Sequence, residues 1–94
     1  MANYKLSTLA DAKMVDIYRY SVQTFGLVQA RKYTHALHET FAQLATRPRL
    51  GRQWRQWRRH EHAEHVIFYE IVDDGIYIVR IFHNRENIVA KMKS

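Results

Sequence analysis

The apolar period changes once along this chain, near residue 50, and that change limits what the chain can fold into. Before it, apolar residues recur every three or four positions, the spacing of one buried helix face. After it, β-branched and aromatic residues gather in short runs, as strands prefer. A helical half followed by a strand half predicts an α+β domain, with helices lying on a sheet. A chain of 94 residues is one domain, 1–94, with a modest core.

Residues 3–7 alternate weakly and read as a short strand. Ser7 or Thr8 offers an N-cap hydroxyl, and Asp11 falls in the first turn, where a carboxylate complements the helix dipole. Ala10, Met14, Ile17 and Tyr20 or Ser21, with Leu9 alongside, predict a helix over 8–24 that stops at Gly26. Ala30, Tyr33, Leu37, Phe41 and Leu44 predict a second over 27–46, ended by Pro48. Together they make an antiparallel hairpin. Residues 65–72 and 76–83 read as strands joined at Asp74-Gly75, a pair suited to a two-residue turn. Residues 53–60 add one more strand, although Trp54 and Trp57 are out of phase for strict alternation. The expected architecture is β-α-α-β-β-β, a helical hairpin packed on a small, mainly antiparallel sheet.

That turn implies a register in which Val72 pairs with Tyr77, Glu70 with Val79, Phe68 with Ile81 and Val66 with His83. One face of the hairpin would carry Val66, Phe68, Val72, Tyr77, Val79 and Ile81. The other would carry Ile67, Tyr69, Ile71, Ile78 and Phe82. Both are apolar, and one helical layer covers only one. The second cover is the C-terminal tail (Ile88, Val89, Met92), a second copy or another protein, and an exposed apolar face favours a partner.

The net charge is +6. A basic surface attracts nucleic acid, anionic lipid or an acidic protein. No acid occurs between Glu39 and Glu61, a stretch holding Arg47, Arg49, Arg52, Arg55, Arg58 and Arg59. Such a run reads equally as a solvated loop or as a contact surface. The absence of cysteine excludes a disulfide framework and thiolate chemistry. No apolar run approaches the length needed to cross a bilayer, and the N-terminus lacks a signal-peptide pattern, so the expected compartment is the cytoplasm. His60, His62 and His65 alternate with Glu61 and Glu64 but match no zinc framework, and neither metal nor other cofactor is expected. Trp54 and Trp57 among arginines suit either base stacking or anchorage of a loop to the core.

Several blocks are recognisable in order. Ala10, Met14, Ile17 and Tyr20, then Phe25-Gly26, then Ala30, Tyr33 and Leu37, fit a known helical hairpin. Arg47-Pro48-Arg49-Leu50-Gly51-Arg52 matches a Pro-x-x-Gly-Arg loop. His65-Val66-Ile67-Phe68-Tyr69 and Val79-Arg80-Ile81-Phe82-His83-Asn84-Arg85 follow at the right spacing. Over essentially its whole length the chain resembles the ParE branch of the RelE/ParE superfamily. That resemblance implies the toxin of a type II toxin–antitoxin pair, which binds and inhibits DNA gyrase and is neutralised by a ParD-like antitoxin. DNA would then be met only through the antitoxin or gyrase. One position departs from the family pattern: Asn87 stands where an Asp is common.

Relatives in the RelE branch instead cut mRNA on the ribosome, which needs a base, an acid and cations for the phosphate. His83 and Arg85, with Arg80, Arg58 and Arg59, supply part of that set, but the tyrosine or His-Tyr pair of the RelE C-terminus is missing. The expectation is a non-enzymatic inhibitor. The alternatives are a RelE-like mRNA-cleaving toxin and a non-toxic basic nucleic-acid-binding module. Arg58, Arg59, Arg80, His83 and Arg85 are the candidate target-binding residues. Leu9, Met14, Tyr33 and Leu37 are a candidate antitoxin bed, with an open sheet face or a sheet edge as the other choices.

Overall fold

A computed structural model describes residues 2–92. In chain order the elements are β1 (Asn3–Leu6), α1 (Thr8–Phe25), α2 (Leu27–Thr46), a 3₁₀ turn (Pro48–Leu50), β2 (Arg52–Trp54), β3 (Trp57–His62), β4 (His65–Val72), β5 (Gly75–His83) and the single-turn helix α3 (Ile88–Lys91). The sheet runs β1-β5-β4-β3-β2, with β1 parallel to β5 and the other pairs antiparallel. The α+β frame expected from the apolar period is present, and both long helices lie where that period placed them.

Helix α1 starts at Ser7, whose Oγ accepts the Ala10 N–H at 3.0 Å and donates to the Val79 carbonyl at 2.6 Å. One hydroxyl thus caps the helix and ties it to β5. Asp11 lies in the first turn. Gly26, at φ 91°, ends α1 and starts α2 with no intervening loop.

Three expectations need correction. Residues 53–60 are not one strand but the hairpin β2–β3, turning at Arg55 with φ 54°. Trp54 and Trp57 are cross-strand partners in it, which is why they are out of phase for a single strand. Second, the β4–β5 turn is Asp73-Asp74, because Gly75 already pairs with Val72 and with Asn3 of β1. A Cβ at residue 75 would lie 1.7 Å from the Asn3 carbonyl oxygen, so this glycine makes room for a neighbouring strand. Third, the register shifts between Phe68 and Tyr69: Tyr69 pairs with Ile78 but Phe68 pairs with Arg80. Val79 is the extra residue of a β-bulge, and its carbonyl takes the Ser7 hydroxyl. A one-residue shift exchanges faces beyond it. Ile81 therefore packs under the helices and Phe82 on the opposite side, the reverse of the unbulged register.

The helix-covered face holds Ile67, Tyr69, Ile76, Ile78 and Ile81 against Ala10, Met14, Ile17, Leu37, Phe41 and Leu44. The other face holds Trp57, Val66, Phe68 and Phe82, closed by Met92 with Ile88 and Trp54 at the margin. Met92 is only 2% exposed, so the chain's own tail covers this part of the second face and no partner is needed there. Asn87 Oδ1 accepts from the Ala90 N–H and caps α3, a role asparagine fills as well as aspartate. Arg55 donates to the Met92 carbonyl at 3.0 Å and so pins the tail to the β2–β3 turn. Val72 and Tyr77, nearer the β4–β5 turn, stay exposed.

Candidate functional site

The Pro48–Arg52 loop is held by a buried phenol. Tyr69 Oη donates to the Pro48 carbonyl at 2.6 Å and accepts the Gly51 N–H at 2.8 Å. Arg58 Nη1 donates to the Gly51 carbonyl at 2.6 Å. A Cβ on residue 51 would lie 2.4 Å from that phenol oxygen and 2.9 Å from the Arg59 carbonyl, so the loop closes only around glycine. Burial pushes the Tyr69 phenol above its ordinary pKa and keeps it protonated as a donor. Arg58, a candidate target-binding residue, thus has structural work in holding this loop beside Tyr69.

The remaining cations separate by sheet face. Arg59 on β3 and Arg80 on β5 flank Phe68 of β4, each in register with it. The Arg59 guanidinium lies 5.5 Å from the Phe68 ring centroid, and that of Arg80 lies 4.6 Å from the Phe82 centroid, both within cation–π range. Arg59 also pairs with Glu61 at 2.9 Å. These two arginines share the tail-covered face, whereas Arg58 lies on the face of Tyr69.

The histidines gather on the helix side, at the end of the sheet opposite the β4–β5 turn. Tyr33 Oη lies 2.6 Å from His65 Nδ1, and Thr40 Oγ1 lies 3.0 Å from His62 Nδ1. The His65 and His83 rings meet edge to face, 5.5 Å between centroids. Burial first, then the neighbouring His83 and Lys13, lower His65 to about 4, so it is neutral at physiological pH. His83 Nδ1 accepts the Arg85 N–H at 3.1 Å. Glu86 closes the cluster. Burial alone would raise its carboxyl, but hydrogen bonds from Lys13, Lys91 and the His83 N–H outweigh that and hold it at about 2. Lys13 and Glu86 are 73 positions apart, so no local pattern in the sequence could have announced the pair.

The proposed antitoxin bed divides on burial. Met14 and Leu37 sit in the core, 8% and 0% exposed, because the two helical stripes face the sheet as well as each other. In this structure they are not presented at the surface. Tyr33 is half-buried against His65, while Leu9 is exposed. Arg85 is exposed in the loop after β5. Among the described residues no cluster of three or more His, Cys, Asp or Glu could hold a metal, and no helix is long and apolar enough to cross a membrane.

A family model for the ParE toxin of the type II toxin–antitoxin system parDE matches residues 4–88. The chain belongs to the ParE toxin family. It is 33% identical over 96 residues to Toxin ParE1 of Caulobacter vibrioides, covering 98% of this chain and 99% of that protein. It is 28% identical over 92 residues to Toxin ParE1 of Mycobacterium tuberculosis, covering 93% of this chain and 94% of that one. A solved structure described as the chromosomal ParDE TA system from P. aeruginosa superposes with TM-score 0.73 at 22% identity, over 88% of this chain and 96% of that one. This last likeness establishes the shared fold. The ParE match spans the helical hairpin, the Tyr69-clamped loop and both family-like strands.

Proposed function

We propose that this ParE-family chain stops growth by binding and inhibiting DNA gyrase in the cytoplasm, without itself cutting a bond, and that a ParD-like antitoxin neutralises it. One observation carries the non-enzymatic reading. Two of the candidate cations, Arg59 and Arg80, lie across the sheet from the histidines, and of those on the histidine side Arg58 is spent on the Gly51 carbonyl and Lys13 on Glu86. His65 and His83 are on the helix side, and His65 is engaged by Tyr33. Arg59 and Arg80 lie over aromatic rings on the tail side, where α3 and Met92 cover part of the face. General acid–base cleavage of RNA needs both sets around one phosphate. Separation of this kind favours recognition, for which a rigid surface suffices.

For the antitoxin, the exposed apolar residues Leu9, Val15, Val72 and Tyr77 and the edge of β1 offer beds for an acidic segment that folds as it binds. Charge complementarity would speed encounter while apolar anchors hold the complex. Raising salt should then slow association and leave dissociation nearly unchanged.

The deciding experiment pairs a gyrase supercoiling assay with ribosome-dependent mRNA cleavage, using purified toxin. Inhibited supercoiling with intact mRNA supports the proposal, and cleaved mRNA with unimpaired supercoiling overturns it. Within that assay, Arg85→Ala and His83→Ala should lose inhibition while keeping the fold. Equal inhibition by both variants would move the active surface away from the end of β5.

A further inference from the structure

The tip of the α1–α2 hairpin is used by nothing described above. Phe25, Leu27 and Val28 are 64%, 46% and 69% exposed and adjoin one another around Gly26. Solitary exposed apolar residues are ordinary, but three large ones at one turn form a patch. None of residues 22–29 is buried: the last buried residue of α1 is Ser21 and the first of α2 is Ala30. The last turn of α1 and the first turn of α2 therefore project beyond the core. The projection is stiff. Gly26 N–H donates to the Val22 carbonyl and its own carbonyl accepts the Ala30 N–H, both at 3.0 Å, so helix meets helix without a loop. A Cβ built on Gly26 would meet no atom within 4 Å, so the turn opens onto free space.

The charge around it has one sign. No Asp or Glu occurs between Asp16 and Glu39, while Arg19, Arg31 and Lys32 are exposed there and make no ion pair among the described residues. The first turn of α2 also carries no acid, so the side-chain charge at the tip comes from these cations. Arg31 and Lys32 lie three and four positions after Val28 and share its side of the helix.

We propose that this tip is the prong by which the toxin engages its target enzyme, entering a recess with apolar walls and a rim of carboxylates. The inference rests on the binding mode of the proposed function and names its surface. Shape and charge select this occupant. A neutralising segment that wraps the toxin needs a groove, and the tip projects beyond the core with open space around Gly26. Two copies meeting tip to tip would bring cationic collars together around a patch of three side chains, which is small for a stable dimer. A preformed, protruding apolar anchor inside a charged ring is instead how a few side chains dominate recognition of a large protein.

The test uses the full chain with two double variants, Phe25→Ser with Val28→Asp, and Arg31→Glu with Lys32→Glu. Each is measured for melting temperature, affinity for the antitoxin, gyrase inhibition and growth arrest at equal expression. The apolar variant should need at least ten times more toxin for half-inhibition. The charge-reversed variant should need several-fold more at low salt and less of an excess at high salt. Both should melt as the wild type does and hold antitoxin within threefold. Unchanged growth arrest by both variants overturns the proposal. So does an equal loss of antitoxin affinity, which would make the tip an antitoxin bed. A wild-type dimer that the apolar variant splits would assign the patch to a second copy. Wild-type binding to anionic vesicles that the variants lose would assign it to lipid. A wild type that arrests growth without inhibiting gyrase would defeat the proposed target alone, because growth arrest would still report on the tip.

Discussion

The two faces of the central sheet are closed by very different amounts of chain. Thirty-eight helical residues (18 in α1 and 20 in α2) lie over the first, and its core is almost wholly aliphatic with Phe41 and Tyr69 set into it. The second is covered by a one-turn helix and Met92, and its core is aromatic: Trp57, Phe68 and Phe82, with Trp54 beside them. A thick layer can shield aliphatic side chains completely. A thin one leaves gaps, which large flat rings and arginines laid over them fill with little backbone. The first face should therefore carry most of the stability, and the second should tolerate change better.

That contrast can be broken most directly at Phe41, which is fully buried on the helix side. Phe41→Ala should cost about 3–5 kcal/mol, a large share of the roughly 5–15 kcal/mol that holds a domain folded. A loss below 1 kcal/mol in urea denaturation would mean the helical layer is not the main support. Gly51→Ala comes next. Its Cβ meets the Tyr69 hydroxyl and the Arg59 carbonyl at once, so overpacking and a displaced hydrogen bond should together cost about 2–3 kcal/mol. A wild-type urea midpoint would show that the loop closes without the Tyr69 clamp.

On the thin side, Met92→Ala should cost no more than about 2 kcal/mol, the low end for a buried methionine, because the tail can settle onto the cavity. A loss matching that of Phe41→Ala would erase the difference between the faces. The smallest effect separates the two by pH. His65 belongs to the helix side and is held neutral, titrating at about 4 when folded against an ordinary value of 6.5. The unfolded chain binds that proton first, so the stability is present in full above about 6.5 and is lost as pH falls towards 4. The site is half-exposed, so solvent screening reduces this to on the order of 1 kcal/mol. His60, lowered mainly by burial, acts in the same direction. Below pH 4.5 the Glu86 carboxylate, held at about 2, withdraws a further contribution as it protonates. His65→Gln should flatten the urea-midpoint curve between pH 6.5 and 4, and an unchanged slope would place the titrating group elsewhere.

The sequence by itself determined the elements that local chemistry controls. The 3.6 period, the Ser7 hydroxyl, Gly26 and Pro48 specify the two helices, because each acts on backbone within a turn of itself. The ordered blocks from Ala10 to Arg85 likewise carried the family, since the family is a property of sequence order. Tertiary structure alone decided the rest. Asp-Gly has the right chemistry for a turn, but Gly75 is taken into β5 because β1, some seventy residues earlier, packs against it. The bulge at Val79, whose carbonyl takes the Ser7 hydroxyl from the far end of the chain, decides that Ile81 rather than Phe82 faces the helices. The candidate arginines looked like one basic group, yet the alternation of strands and that single bulge put Arg59 and Arg80 on one face and Arg58 on the other. Burial of Met14 and Leu37, the Lys13–Glu86 pair and the Tyr69 clamp all join residues far apart in the chain. Period and propensity report which side of an element is apolar. Only packing determines what that side meets.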